Sequence, residues 1–193
     1  MSALKNVRTL TLVAMFVALG IVLRFFSLET EIIRVGLRPV AVMLSGLTLG
    51  PVLGGIVALA EDLLGSTLKG YPPFPPITLI NLLYGILPPL LLPFLTRLYQ
   101  RLPFKNMLPL YFLAIGLTQL IAGTLLMPAA QNLLLDGGFD FTLYMARFTP
   151  RIPQQILHIL IYPPVTYTMV KAIARFLKTP DPAKLADYPL INR

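Results

Sequence analysis

Residues 37–68 read LRPVAVMLSGLTLGPVLGGIVALAEDLLGSTL, and the way this run divides decides the fold. Pro39 to Ala60 is uncharged and 22 residues long. That is enough for one bilayer crossing, which needs roughly 20 apolar residues. Continued to Leu68 as a single helix, the run would be about 50 Å long, at ~1.5 Å per residue, against a hydrocarbon core of about 30 Å. Gly50-Pro51 falls near its middle and Gly54-Gly55 follows. A proline interrupts the helical hydrogen-bond ladder and a glycine permits the turn, so the run divides into two short helices joined tightly.

Outward from this stretch, further apolar segments cover about 9–26, 77–96, 107–133 and 152–177, with the divided run supplying 37–50 and 51–68. The chain has 193 residues, of which 56% are hydrophobic and 12% charged, and its mean hydropathy is +0.76. Soluble domains carry about 25% charged residues, so a water-soluble enzyme is excluded and the bilayer is the solvent. The expected fold is an all-α integral membrane protein, a compact bundle of six transmembrane helices over residues 1–178. A polar tail follows at 179–193. No small-x-small cleavage motif precedes Arg24, so the first span reads as retained rather than as a removed signal.

Charge speaks to orientation. Sixteen Lys and Arg against eight acids give a formal +8. Basic loops mark the cytoplasmic side of a membrane protein. Six spans with both termini inside put ten basic residues within and six outside. A five-span chain with its N-terminus outside divides them eleven to five, so the choice of six rests on the Gly-Pro break. Six spans also gather the polar segments 27–38, Glu61-Asp62 with 69–76, 134–142 and 147–155 on the outer side, where they make a candidate ligand pocket.

Each candidate group has a plain structural reading beside the functional one. Asp62 has the acceptor geometry for two N–H groups of a ligand edge such as a 2-amino-4-oxo-pyrimidine. It could equally form a salt bridge to Arg38 or Lys69, because a buried carboxylate needs a partner. The segment Gly70-Tyr-Pro-Pro-Phe-Pro-Pro76 is stiffened by four prolines. It either presents Tyr71 and Phe74 as an aromatic wall or simply spaces two helices. Arg147 and Arg151, at i and i+4 ahead of Gln154 and Gln155, suit a carboxylate, with Arg24 as a further cation. They also suit interfacial anchoring with Asp136 or Asp140 as counter-ion. Ala14 and Ala18, one turn apart, allow close helix approach, within this chain or to another. The ladder Gly46, Gly50, Gly54, Ala58 is assigned to internal packing. Prolines 88, 89, 93, 128, 163 and 164 are expected to kink the last three helices. His158 reads as an internal hydrogen bond. There is no cysteine, no metal-ligand spacing and no Gly-x-x-x-x-Gly-Lys-[Ser/Thr] loop, so neither a metal nor self-powered ATP hydrolysis is expected.

The ordered series resembles the S components of energy-coupling factor (ECF) vitamin transporters, most nearly the folate-specific group. It comprises the Thr9-to-Leu23 opening with Ala14-x-x-x-Ala18, then Val35-Gly36, then Leu49-Gly-Pro-x-x-Gly54. Ala60-x-Asp62-Leu-x-Gly65 follows, with Phe74-Pro75, Thr78-Leu79, Tyr84-Gly85, Arg147 and Arg151. The resemblance covers about residues 8–177. It implies a non-catalytic, vitamin-binding subunit of a prokaryotic plasma membrane, with its pocket near the outer face and both termini cytoplasmic. It further implies docking through Ala14 and Ala18 on a transmembrane coupling protein, with two partner ATPases using ATP and Mg and with toppling of the subunit in the bilayer. For folate it implies pterin stacking on Phe74 and edge reading by Asp62. Arg24, Arg38, Arg147 and Arg151, with Tyr71 and Gln155, would complete the site and hold the glutamate tail. Where the folate group shows Gly and Phe after Phe-Pro, this chain has Pro76 and Ile77, which keeps pantothenate or hydroxymethylpyrimidine open as cargo. Two other classes fit the six-helix layout. One is a scaffold subunit of cell-envelope machinery, and the other is a proton-coupled carrier using Glu61, Asp62 or His158.

Overall fold

A computed structural model describes residues 7–26, 28–29, 34–70, 72–99 and 107–176. Tyr71 and the tail 179–193 lie outside the described residues. The helices are α1 (Val7–Phe25), α2 (Arg38–Leu49), α3 (Pro51–Leu68), α4 (Pro75–Tyr99), α5 (Leu108–Thr118), α6 (Met127–Asp136), α7 (Phe141–Phe148) and α8 (Arg151–Phe176). A π-helical segment, Gln119–Leu126, joins α5 to α6 without a break. Between α1 and α2 a two-residue antiparallel pair sets Leu28 opposite Val35 and Glu29 opposite Arg34.

The division of residues 37–68 falls at Gly50. Its φ of 94° lies in the region that side chains disfavour, and Pro51 opens α3 where its missing amide costs nothing. The six apolar segments appear as read, but α2 has only 12 residues. At ~1.5 Å per residue it is about 18 Å long, too short to cross a bilayer core. It has no need to cross. Val40 to Leu49 are all buried, and α2 is wrapped by α1, α3, α4 and α8. The contact with lipid is left to the longer helices, on which Leu79, Leu90, Phe94, Leu113, Ile156 and Leu160 stand exposed. Four helical stretches are long and apolar enough to span a membrane: Pro51–Leu68, Pro75–Arg97, Leu108–Leu134 and Arg151–Ile173.

The inner packing is backbone on backbone. A Cβ on Gly46 would overlap the Gly85 carbonyl, and one on Gly54 would stand 2.5 Å from the same oxygen. Removal of side chains here lets α2, α3 and α4 approach closely enough for dispersion to hold them, the packing mode that works in lipid. The small-residue ladder thus splits into two jobs, with Gly46 and Gly54 packing and Gly50 turning.

Helix α4 runs unbroken through Pro88, Pro89 and Pro93, and α8 through Pro163 and Pro164. A change of helical pattern accompanies Pro128. In the i→i−5 pattern of the π segment, shown by Met127 N donating to Ala122 O, the donor to Gly123 O would be residue 128. A proline there has none. Gly123 is buried, and its freed carbonyl lies next to the polar groups described below.

Candidate functional site

Two polar constellations lie inside the bundle. The first is a quartet of charges. Glu61 and Asp62, adjacent on α3, point about 100° apart and therefore meet different neighbours. Glu61 is fully buried. It accepts from Arg38 Nε at 2.7 Å and forms an ion pair with Arg24 Nε at 3.0 Å that lacks hydrogen-bond alignment. Asp62 Oδ1 accepts from Arg24 Nη2 at 2.8 Å and Asn81 Nδ2 at 2.7 Å, with Arg38 Nη2 at 3.6 Å. Its Oδ2 accepts from Thr78 Oγ1 at 2.8 Å. Arg24 also donates to Ser66 Oγ at 3.1 Å.

Two guanidiniums and two carboxylates make a neutral cluster, which is how four charges are tolerated at this depth. Glycines make the room for it. A Cβ on Gly20 would lie 2.6 Å from Glu61 Cγ, and one on Gly65 would lie 2.8 Å from Arg24 Nη1. Arg24 closes α1 where a cation suits the helix dipole, whereas Arg38 opens α2 against the dipole and is offset by Glu61. The structure thus brings Arg24 to the carboxylates and not to Arg151. Lys69 lies 5.8 Å from the centre of the Phe25 ring.

The second constellation surrounds the π segment. Tyr84 Oη donates to Gln119 Oε1 at 3.4 Å. Gln155 Nε2, Tyr84 Oη and Gln119 Oε1 stand 2.7, 2.9 and 3.0 Å from the point where a Gly123 Cβ would be. Arg151 donates to Gln131 Oε1 at 2.6 Å and approaches the freed Gly123 carbonyl at 3.5 Å. This cluster of amides, hydroxyl and guanidinium lies on the Gly123 face of the π segment. Beside it His158 stacks on Tyr162 at 4.6 Å, and Tyr162 donates to Gly36 O at 2.7 Å.

Of the other residues singled out in the sequence, Phe74 is half-buried and immediately precedes α4, where its carbonyl accepts from Thr78 N at 3.0 Å. Arg147 is half-buried on α7, a helix with no fully buried residue. Asp140 caps α7 by accepting from Thr142 N and Leu143 N. Ala14 and Ala18 are exposed, while Val13, Val17 and Gly20 form the inward face of α1. The alanine pair therefore takes no part in internal packing. Asn81 and Gln119 were not singled out in the sequence. Their signal was present, since each is an uncharged amide within an apolar span that must find partners there. Among the described residues no group of three or more His, Asp or Glu could hold a metal ion.

Buried polar groups within helices sheathed in apolar side chains suit a membrane-embedded protein. The sequence pattern of the family described as ECF transporter, substrate-specific component, matches residues 8–170. The chain belongs to this family. That places it among transporter components rather than envelope scaffolds. This substrate-specific component is similar to the protein named folate transporter FolT of Clostridium novyi (strain NT), at 41% identity over 63 residues. The similarity spans 32% of this chain and only 37% of that relative. Its fold is similar to that of a crystal structure of FolT bound with folic acid, with a TM-score of 0.61. That likeness covers 84% of this chain and 92% of the other at 22% identity, and it speaks for the fold.

Proposed function

We propose that this substrate-specific component binds folate or a closely related pterin-containing compound at the outer side of a prokaryotic plasma membrane and passes it inward. The observation that carries the reading is the polar cluster around Gly123. There two amides, a tyrosine hydroxyl and Arg151 converge among otherwise apolar helices. Folate requires both kinds of group, hydrogen-bonding partners for a flat heterocycle and cations for a dicarboxylate tail. Arg151, Arg147 and Arg38 are the cations for that tail, and Phe74 and Tyr71 are the aromatic groups for the ring face. The similarity to proteins named for folate supports the same cargo.

Asp62 already holds Arg24, Asn81 and Thr78. A direct role in reading the ligand requires the heterocycle to displace one of these, so its role is to hold Arg24 and Arg38 in place. The chain carries no cofactor. ATP and Mg act in two partner ATPases, and the exposed Ala14 and Ala18 face docks on their transmembrane coupling protein. Both termini are cytoplasmic, and the subunit topples to release its vitamin.

The test is purification in detergent with added folic acid. At a ligand concentration 100 times Kd the native state gains about 2.7 kcal/mol. For a chain of this size that raises Tm by about 5–11 °C. A rise with pantothenate or hydroxymethylpyrimidine and none with folic acid overturns the cargo. Uptake into vesicles holding this chain without coupling protein and ATPases overturns the dependence on partners.

A further inference from the structure

Gln119 and Gln155 are 1% and 6% exposed, and each carries one polar atom with no hydrogen-bond partner: Gln119 Nε2, a donor, and Gln155 Oε1, an acceptor. A buried amide that leaves a donor or acceptor unmet costs about 1–3 kcal/mol, so native proteins rarely keep one without a use for it. Here two occur together. Their other amide atoms, Gln119 Oε1 and Gln155 Nε2, stand 3.0 and 2.7 Å from the same point above Gly123. The unmet atoms are the opposite ends of these two neighbouring amides, one donor and one acceptor.

The polarity of the pair is set by its surroundings. Tyr84 Oη donates to Gln119 Oε1 at 3.4 Å, so the carbonyl end of that amide is engaged. With the carbonyl of Gln119 engaged, its Nε2 is the end left to offer. The π turn is what brings this about. It places Gln119 and Gly123 on the interior face, and the absence of a side chain at Gly123 lets the amide of Gln155 approach from α8.

We infer that Gln119 and Gln155 are the specificity-determining pair for the heterocycle, with Gln119 Nε2 donating to its ring carbonyl and Gln155 Oε1 accepting from the neighbouring ring N–H. This rests on the folate reading and adds to it the edge that is read and the groups that read it. The adjacent C4=O and N3–H of a 2-amino-4-oxo-pteridine are an acceptor beside a donor, the complement of the unmet pair. The 4-amino analogue of folic acid reverses both, presenting an amino donor beside a bare ring nitrogen.

The experiment measures Kd by calorimetry for folic acid and for its 4-amino analogue, on the full chain and on Gln119→Leu, Gln155→Leu and Arg151→Gln. The wild-type chain favours folic acid by at least about 10-fold, the scale of one mismatched buried hydrogen bond. Each leucine variant lowers that ratio by threefold or more, whereas Arg151→Gln weakens both ligands and keeps the ratio. Should a leucine variant fail to fold, Gln119→Asn and Gln155→Asn keep an amide but withdraw it by one methylene, and the same fall in ratio is expected. A wild-type ratio under threefold, or a ratio that falls less than threefold in the variants, overturns the pair while the folate reading stands. A wild-type chain that binds neither compound overturns both.

Discussion

Glu61→Gln removes one negative charge from the quartet and leaves the shape of the side chain unchanged. Glu61 sits between Arg38 at 2.7 Å and Arg24 at 3.0 Å with no exposure to solvent, so both guanidiniums lose a partner at once. The cluster passes from neutral to a net positive charge, with Asp62 the one carboxylate left to offset two guanidiniums. Breaking a buried ion pair by removing one partner costs about 3–5 kcal/mol. Relief of the repulsion between the adjacent Glu61 and Asp62 sets the expected value toward the lower end. At about 2–4 °C per kcal/mol for a chain of this size, the variant melts about 6–15 °C below the parent. The assay is thermal unfolding in detergent without ligand. A second variant pairs Glu61→Gln with Arg38→Gln and recovers part of the loss, because the double change restores neutrality. A single variant within 2 °C of the parent, or a double variant less stable than the single, refutes the claim that neutrality is what holds the quartet.

Gly54→Ala puts a Cβ 2.5 Å from the Gly85 carbonyl, and since backbone must move to admit it, a loss of about 1–3 kcal/mol in unfolding stability is expected. An unchanged Tm would show that α2, α3 and α4 are not locked backbone to backbone. Phe74→Ala weakens folic acid binding by about 2- to 10-fold, the worth of one aromatic contact, with little change in the Tm of the unliganded chain because Phe74 is only half-buried. Equal Kd values remove the stacking role. Ala14→Leu leaves the Kd for folic acid unchanged, since the residue faces outward, and abolishes uptake in vesicles containing the coupling protein and ATPases. Uptake at the parental rate removes the docking face.

Lipid as the solvent and the number and order of apolar segments were legible in the chain, because composition and the spacing of apolar runs are properties of sequence alone. The turn at Gly50-Pro51 was legible for the same reason, since a proline lacks its amide wherever it stands. The burial of α2 on all sides was not, because it depends on what α1, α3, α4 and α8 do around it. Prolines show the same division. Residues 88, 89, 93, 163 and 164 are accommodated inside unbroken helices, and Pro128 alone coincides with a change of helical pattern. A missing amide is a local fact, but whether a freed carbonyl finds another donor is settled by neighbouring helices.

Arg24, Arg38, Glu61 and Asp62 were each conspicuous in the sequence, as charges in apolar surroundings must be. Which charge meets which is a matter of distances between α1, α2 and α3, separated by up to 38 residues along the chain. The chain determined that costly polar groups would be present and would need partners. The tertiary structure decided that the four charges satisfy one another while Gln119 and Gln155 do not, because hydrogen bonds and ion pairs act over about 3 Å and only folding sets separations on that scale.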